Sequence, residues 1–385
     1  MSDIRRCESR ILVPPHVAAL QPYEPGLNAD DIRKRFGLKR VVKLASNENP
    51  LGVSPIALER ARQSLNGMSR YPPGGATLRN RLAELYGVEP GNVIAGAGSE
   101  GIMANIVRTF LCDDDEVLTS EAAFQGFQVL AQSRGVPYRT VRYSDWRYDL
   151  TALAHAISSR TKLIYLANPN NPTGTFFRRK ELEEFHRLVP GRVLIILDEA
   201  YYEFAIAEPS YPDSMHYRFD NVITLRTFSK AYGLASARIG YGFGHEELVS
   251  VLLKVKLPFE PSGPAEAAAL GALEDREFML RTAANNASGM SFLAKELARL
   301  RIHAVPSAAN FLMLVFGASD EATSVFEALL ALGVIIRPLA ATGLPKCLRV
   351  SIGMPEENET FIEALEQVCH DLRETMEVDS YAAID

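Results

Sequence analysis

The stretch Arg226-Thr-Phe-Ser-Lys-Ala-Tyr-Gly-Leu-Ala-Ser-Ala-Arg238 follows an apolar run, Val222 to Leu225, that predicts a short buried strand. Within it, Lys230 lies beside two hydroxyl residues, Thr227 and Ser229. A lysine in apolar surroundings loses the solvation of its charged form, so its placement needs a reason. The hydroxyls and the closing guanidinium predict a phosphate site, and the lysine predicts a bond to a phosphorylated cofactor. A surface loop with scattered polar residues explains this stretch equally well.

Composition restricts the class of protein. A chain of 385 residues suits one large domain and a smaller one, and its formal net charge of −6 gives no case for a nucleic-acid or membrane partner. No apolar run has membrane-spanning length, and residues 1–10 lack the apolar core of a secretion signal. The cysteines Cys7, Cys112, Cys347 and Cys369 are scattered without a Cys-x-x-Cys pair. We therefore expect free thiols, no metal site and a cytoplasmic protein.

Short apolar runs alternate with helical segments between residues 92 and 225. This alternation predicts an α/β fold with a mostly parallel central sheet that is covered by helices. In such sheets ligands bind just beyond the carboxyl ends of the strands. The polar motifs described below all follow predicted strands, so we expect them to meet at one edge of the sheet.

The pattern changes after about residue 255. A proline-rich break over residues 258–264 precedes a long helical region from Ala265 to about Leu300. Strand-like runs then recur, at residues 311–316 and 348–352. We expect a large domain at residues 46–255, and a smaller α+β unit that comprises an N-terminal arm (residues 1–45) and residues 256–385.

The sequence Gly96-Ala-Gly-Ser-Glu-Gly101 matches G-x-G-x-x-G between a predicted strand and a predicted helix. A glycine-rich turn of this kind delivers backbone N–H groups and a helix N-terminus to a phosphate. A dinucleotide site should open its domain and end the next strand with an acidic residue, but Thr119-Ser120 follow here. A dinucleotide, a single phosphate and a plain tight turn all remain possible for this motif, and the single phosphate fits best.

Two further polar features follow predicted strands. Asn168-Pro-Asn-Asn-Pro-Thr-Gly174 has the composition of an ordinary turn, but it also presents amide side chains at the end of a strand. Asp198 ends the apolar run Val193 to Leu197, where a carboxylate is costly unless it faces a cation. An organic cation such as a pyridinium fits, because a charge pair at ~4 Å is worth about 4 kcal/mol, or roughly three pKa units.

Together these features meet the requirements of pyridoxal 5′-phosphate chemistry. The chain resembles the histidinol-phosphate aminotransferase family, within the fold-type-I aminotransferases of the aspartate aminotransferase superfamily. Seven stretches carry the resemblance in the family's order and span almost the whole chain. They are LASNENPLG at Leu44, RYPPGG at Arg70, GAGSEG at Gly96, NPNNPTG at Asn168, LDEAYYEF at Leu197, RTFSKAYGLASARIGYG at Arg226 and LRVSIGMPEEN at Leu348.

The resemblance implies a role for each matching residue. Lys230 would be the Schiff-base lysine and proton shuttle, and Asp198 the partner of the pyridine nitrogen. Tyr201 and Asn171 would bind the phenolic oxygen of the cofactor, and Phe124 would stack on its ring. The phosphate would be held by a further set of side chains and backbone amides. This set is Ser99, Glu100, Thr227, Ser229 and Arg238.

The resemblance also implies substrate ligands and a partner subunit. Arg349 would bind the anionic end of the substrate, with Tyr23, Arg337 and Asn47 as weaker candidates near it. Tyr71 would cross to the phosphate of the second subunit, which implies a homodimer with shared active sites. The expected reaction is transfer of an amino group from a small-molecule donor, histidinol phosphate, to a 2-oxo acid, 2-oxoglutarate, in histidine biosynthesis.

Three alternatives stay open at this level. An aminotransferase for aromatic or other amino acids would use the same scaffold. A nicotinamide-dependent dehydrogenase built on the glycine-rich turn would leave Lys230 and Asp198 without a function. A non-catalytic binding protein that keeps the fold would tolerate loss of that lysine or aspartate, yet both are present.

Overall fold

The structure is a computed structural model that describes residues 12–21 and 26–382, with side chains described as far as Leu372. Tyr23, a predicted substrate ligand, and Cys7 lie outside the described residues. The strands are β1 (Val42–Lys43), β2 (Val93–Gly96), β3 (Glu116–Ser120), β4 (Tyr138–Val141), β5 (Thr161–Ala167), β6 (Leu194–Asp198), β7 (Val222–Thr227), β8 (Gly240–Phe243), β9 (His303–Val305), β10 (Phe311–Val315), β11 (Val334–Ile335), β12 (Arg337–Pro338) and β13 (Cys347–Ser351).

Helices separate most of these strands, as the alternation predicts. They are α1 (Pro15–Ala18), α2 (Ala29–Phe36), α3 (Pro55–Ser64), α4 (Ala76–Tyr86), α5 (Gly98–Phe110), α6 (Gln125–Ser133), α7 (Leu150–His155), α8 (Arg179–Leu188), α9 (Tyr202–Ala205), α10 (Glu246–Val255), α11 (Gly263–Glu274), α12 (Arg276–Arg299), α13 (Ser319–Ala331) and α14 (Pro355–Ala382).

A seven-stranded sheet in the order β2-β8-β7-β6-β5-β3-β4 forms the centre of the fold. Every neighbouring pair from β7 to β4 is parallel, and β8 is antiparallel to both β2 and β7. The expected mostly parallel α/β sheet is therefore confirmed. Because these strands run in one direction, β3, β5, β6 and β7 bring their carboxyl ends to the same edge.

Both faces of this sheet are buried. In β6, Leu194 and Ile196 pack into the apolar cluster that contains residues of α5, α6 and α10, whereas Ile195 and Leu197 pack into the cluster of α7 and α8. Alternate residues of a strand point to opposite faces, so burial on both sides requires an unbroken apolar run. For this reason β6 consists of consecutive Leu and Ile residues up to Asp198.

The strand β8 was not predicted, because two of its residues are glycines, which weaken strand patterns. Its glycines are required by close packing. A Cβ on Gly240 would lie 2.3 Å from the backbone nitrogen of Ser99, at the N-terminus of α5. The glycine therefore lets the start of this helix approach the sheet.

A second, four-stranded antiparallel sheet in the order β12-β13-β10-β9 packs with α12, α13 and α14 around a separate apolar cluster. The arm joins this unit, because β1 pairs in parallel with β11. The predicted long helical region is two helices, divided where Asp275 caps α12. Its first part, α11, packs with α3 and α4 beside the large sheet. The domain boundary at residue 255 stays a prediction.

Among the described residues, no helix is long and apolar enough to cross a membrane. Within the same part of the chain, no group of three or more His, Cys, Asp or Glu side chains could hold a metal ion. Cys112, Cys347 and Cys369 form no disulfide in the part of the chain that the structure describes.

Candidate active site

The carboxyl ends of the parallel strands enclose a cavity. Its walls come from the residues after β3, β5, β6 and β7, from the first turn of α5, and from Arg238 before β8. Ten of the predicted site residues line this cavity. They are Ser99, Glu100, Phe124, Asn171, Asp198, Tyr201, Thr227, Ser229, Lys230 and Arg238.

Lys230 follows β7 and projects into the cavity with its Nζ atom 3.1 Å from the carbonyl oxygen of Ser46, to which it donates a hydrogen bond. Burial is the main cause that lowers its pKa to about 8, and the positive charge of Arg349 acts in the same direction. A lysine with a lowered pKa has a larger neutral fraction near neutrality. Its amine can therefore act as a nucleophile or accept a proton.

Asp198 is the last residue of β6 and is 5% exposed. Burial raises the pKa of its carboxyl to about 6, while a hydrogen bond from Tyr165 works in the opposite direction. The hydroxyl of Tyr165 donates to Oδ2 at 2.7 Å. Within the described structure Oδ1 has no hydrogen-bond partner, although it is buried. A buried oxygen without a partner is costly, so this oxygen suits a hydrogen-bond donor on a bound molecule.

A candidate anion site lies at the N-terminus of α5. Gly98 has a φ of +79°, and a Cβ there would lie 2.8 Å from a guanidinium nitrogen of Arg238. The first turn of this thirteen-residue helix, with Ser99 and Glu100, has backbone N–H groups without an intrahelical acceptor. These groups, the helix dipole and the guanidinium together favour a phosphate. Thr227, at the end of β7, adds a hydroxyl to the same wall.

Three further predicted cofactor ligands line the cavity. Phe124 precedes α6 and gives the cavity an aromatic side chain. Asn171 lies in the loop after β5. Tyr201 follows Asp198 by three residues, and its ring centroid is 5.9 Å from Lys230 Nζ. The two ends of β5 and β6 therefore place an amide and a phenol on the same side of the cavity.

Arg349, on β13, reaches the cavity through Asn171. Its Nη1 donates to Asn171 Oδ1 at 2.5 Å, and its Nη2 donates to the carbonyl oxygen of Ala45 at 2.8 Å. Asn47 is 1% exposed and is not among the residues that line the cavity. Its amide donates to the hydroxyl of Tyr201 at 2.8 Å. Asn47 thus supports a cavity residue, and its role as a substrate ligand stays a prediction.

The remaining predicted residues lie away from this cavity. Arg337 is opposite Arg349 in the ladder between β12 and β13 and does not line the cavity. Tyr71 is 81% exposed and stacks on Phe259 with ring centroids 4.2 Å apart. It lines a neighbouring open groove that reaches the cavity at Arg238.

Sequence reasoning missed some of the residues that build the site. Ala167, Pro169 and Ala200 line the cavity, and Tyr165 contacts Asp198 from below. The alanines have no functional groups to signal a role. Tyr165 lies inside an apolar strand run, where a tyrosine is an ordinary core residue.

The residues present fit pyridoxal 5′-phosphate. The anion site between Arg238 and α5 suits its phosphate, and the unpaired Asp198 Oδ1 suits a protonated ring nitrogen. The partly neutral amine of Lys230 suits its aldehyde, and the ring of Phe124 suits its aromatic face.

Comparisons with known proteins agree with this geometry. A family profile described as aminotransferase class I and II matches residues 39–365. A histidinol-phosphate aminotransferase of Anaeromyxobacter sp. is 43% identical over 364 residues, which cover 93% of this chain and 99% of that protein. Histidinol-phosphate aminotransferase 2 of Pseudomonas aeruginosa is 42% identical, with coverage of 94% and 98%.

Solved structures give the same result. The histidinol-phosphate aminotransferase of Sinorhizobium meliloti in complex with pyridoxal-5′-phosphate superimposes with a TM-score of 0.86 at 30% identity, and covers 94% of this chain and 98% of its own. Aspartate aminotransferase from Thermus thermophilus, at 23% identity and a TM-score of 0.81, shares the fold. These matches exclude the dehydrogenase and the non-catalytic alternatives. The chain is a pyridoxal-phosphate-dependent aminotransferase of class I and II, and it belongs to the histidinol-phosphate aminotransferase family.

Proposed function

We propose that this enzyme transfers the amino group of histidinol phosphate to 2-oxoglutarate, as the names of its relatives indicate for the donor. One observation carries the proposal. The Arg349 guanidinium is bonded to Asn171, which lines the same cavity as Lys230. Both substrates carry an anionic group, and a guanidinium binds phosphate and carboxylate with the same planar donor geometry.

Each residue of the cavity has a role in this proposal. When bound, pyridoxal phosphate supplies an electron sink that stabilises negative charge on the donor's Cα atom. Lys230 Nζ would hold the cofactor and, once displaced, would accept the Cα proton and later return one. Asp198 would keep the ring nitrogen protonated. Tyr201 and Asn171 would donate to the phenolic oxygen, and Phe124 would restrict the ring's orientation.

The phosphate of the cofactor would be anchored at the opposite end of the cavity. We assign this task to Arg238 and to the hydroxyls of Thr227 and Ser229, together with the backbone N–H groups of Ser99 and Glu100. The anchor would keep the cofactor in the cavity when Lys230 is no longer bonded to it. It also separates the cofactor's phosphate from the phosphate of the donor, which would lie on the Arg349 side.

The donor is tested by a half-reaction panel. The cofactor-loaded enzyme is mixed with histidinol phosphate, phenylalanine, tyrosine, aspartate and glutamate in turn, and the change in cofactor absorbance is followed. We expect histidinol phosphate to react with the highest ratio of rate to half-saturating concentration. If phenylalanine or another amino acid reacts better, the enzyme is an aminotransferase for that substrate on the same scaffold.

We propose further that the enzyme is a homodimer with shared active sites. The support is Tyr71, whose ring is 81% exposed beside a groove that reaches Arg238. Light scattering should give twice the 42.4 kDa mass of the chain. Mixing inactive Lys230→Ala with Tyr71→Ala subunits should restore about a quarter of wild-type activity, because half of the dimers then contain one intact site. A monomer, or no restoration, would refute the shared site. The expected cytoplasmic location stays a prediction.

A further inference from the structure

Tyr165 lies next to the cavity and contacts Asp198, the residue assigned to the ring nitrogen of the cofactor. Its side chain is fully buried in β5, and its hydroxyl donates to Asp198 Oδ2 at 2.7 Å. Neither the motifs nor the comparisons assign it a function. Because it does not line the cavity itself, any effect on the reaction has to act through Asp198.

We propose that Tyr165 is a positioning residue that occupies one oxygen of Asp198 and leaves the other, Oδ1, for the ring nitrogen of the cofactor. This inference rests on the proposed role of Asp198, and it is independent of which amino donor the enzyme uses. A carboxylate on the last residue of a strand can rotate about its side-chain bonds. A hydrogen bond to Oδ2 removes that freedom and selects one orientation.

The register of the sheet brings the two side chains together. β5 pairs with β6 so that Tyr165 lies opposite Ile196, and Ala167 lies opposite Asp198. Tyr165 and Asp198 are therefore diagonal neighbours on one face of the sheet. A diagonal separation of about 7–8 Å between backbones is within reach of a long aromatic side chain. The contact follows from the parallel pairing of adjacent strands.

Packing fixes the phenol in place. The Tyr165 ring stacks on Phe127 of α6 with centroids 4.2 Å apart and an interplanar angle of 12°. Its backbone carbonyl accepts a hydrogen bond from Thr119 Oγ1 at 2.7 Å. These contacts hold the hydroxyl of Tyr165 in a fixed position. A rigid donor orients a charged partner better than a flexible side chain or water can.

The charges around Asp198 explain why it needs this donor. Burial and the neighbouring carboxyl of Glu199 raise the pKa of Asp198, while the Tyr165 hydroxyl, the backbone amide of Ala200 and the charge of Lys230 lower it. Tyr148, whose hydroxyl accepts a hydrogen bond from the Ala167 backbone nitrogen at 3.3 Å, is a further titratable group that interacts electrostatically with this carboxyl. Burial raises the pKa of Tyr165 far above its ordinary value, so its phenol stays protonated and acts as a donor. Loss of this hydroxyl favours the neutral, less useful form of Asp198.

The experiment compares cofactor binding by full-length apo-protein variants. Tyr165→Phe removes the hydroxyl and keeps the stacked ring. Tyr241→Phe is the matched control, since it removes another buried hydroxyl, which lies 3.3 Å from that of Tyr86 on the other side of the sheet. Pyridoxal phosphate is titrated into each apo-protein between pH 5.5 and 8, and thermal unfolding of the apo-proteins is recorded.

We expect Tyr165→Phe to weaken cofactor binding about tenfold near neutral pH, as is usual for a hydrogen bond to a charged group. The pH at which binding weakens on acidification should move upward, because the carboxyl loses its donor. Tyr241→Phe should leave both quantities unchanged. An equal loss of affinity at every pH, or an affinity equal to that of the wild type, would show that the hydroxyl serves packing alone and would overturn the proposal.

A double-mutant cycle separates this proposal from the role of Asp198. In an Asp198→Ala background, Tyr165→Phe should cause no further loss of cofactor affinity. If Tyr165→Phe lowers cofactor affinity by the same factor in both backgrounds, the positioning role of Tyr165 is overturned. If Asp198→Ala alone binds the cofactor as the wild type does at all pH values, the assigned role of Asp198 is wrong, and the inference fails with it.

Discussion

Arg349 Nη1 donates a 2.5 Å hydrogen bond to Asn171 Oδ1, which links the four-stranded sheet to the loop after β5. A second bond of 2.8 Å from Nη2 to the Ala45 carbonyl fixes the plane of the guanidinium. Asn171 is also a predicted ligand of the cofactor's phenolic oxygen. One amide side chain therefore touches the residue assigned to the substrate and lines the wall assigned to the cofactor.

The fork geometry of Arg349 leads to the first prediction. Arg349→Lys keeps the positive charge. A single ammonium group, however, cannot keep the bonds to Asn171 and Ala45 and also bind an anion through two parallel hydrogen bonds. We expect KM for histidinol phosphate to rise about tenfold to a hundredfold, with a smaller change in kcat, because one bidentate contact is lost. Steady-state kinetics measure both constants. Arg337→Lys is the comparison, and its effect should be smaller because it is Arg349 that donates to the cavity residue Asn171. A larger rise in KM for Arg337→Lys than for Arg349→Lys would show that Arg337, and not Arg349, binds the anionic group of the substrate.

A second prediction concerns Lys230 itself. Lys230→Ala should abolish the amino-transfer half-reaction and the visible absorbance of the lysine-bound cofactor. Borohydride reduction followed by peptide mass spectrometry should place the cofactor on Lys230 in the wild-type enzyme and on no residue in the variant. Lys254→Ala, at an exposed position of α10, is the control and should behave as the wild type does. Retention of the half-reaction in Lys230→Ala would refute the mechanism.

The lowered pKa of Lys230 leads to a third prediction, for pH dependence. Only the neutral amine reacts with an aldehyde, so capture of pyridoxal phosphate by the apo-enzyme should accelerate as pH rises through the lysine's pKa. With a pKa of about 8, the rate should level off near pH 9 instead of rising beyond pH 10. Stopped-flow absorbance measures this rate. Arg349→Gln should move the midpoint to higher pH, because the charge that helps to lower the pKa is lost. A midpoint that stays fixed would contradict this electrostatic account.

Much of this site was predictable because the sequence marks where parallel strands end. Apolar runs that stop at Ala167, Leu197 and Leu225 place polar residues at one edge of the sheet, and the structure brings them together there. Predictions of this kind need only the spacing of apolar residues along the chain and the rule that parallel strands end at the same edge of a sheet.

What escaped prediction depends on contacts between strands that are distant in sequence. In the sequence, Tyr165 resembles an ordinary core residue. Only the register between β5 and β6 shows that it is a diagonal neighbour of Asp198. The bonds of buried Asn47 to Tyr201 and Ser351 could not be read from the sequence, and its expected contact with substrate stays a prediction. β8 was missed because its glycines serve close packing against α5, which a propensity pattern cannot register.

The last prediction concerns the buried pair of Arg226 and Glu199, which flanks the site. Arg226 Nε and Nη2 donate to Glu199 Oε2 at 2.9 and 2.7 Å, and both side chains are at most 1% exposed. Arg226 precedes Thr227 and Glu199 follows Asp198, so the pair ties the ends of β6 and β7 directly behind two cofactor residues. Asp213 accepts a further bond from Nη2 at 2.8 Å.

Breaking this pair should cost stability and cofactor affinity together. Arg226→Met leaves Glu199 buried without its partner, which typically costs about 3–5 kcal/mol, whereas the double variant Arg226→Met/Glu199→Met removes both charges and should recover part of the loss. Urea unfolding of the apo-proteins measures the first effect, and cofactor titration measures the second. The exposed pair of Arg299 and Glu366 is the control, since Arg299→Met should leave the unfolding midpoint unchanged. If Arg226→Met unfolds at the wild-type urea concentration, the pair does not hold the strand ends, and the geometry of Asp198 and Thr227 must be fixed by the sheet alone.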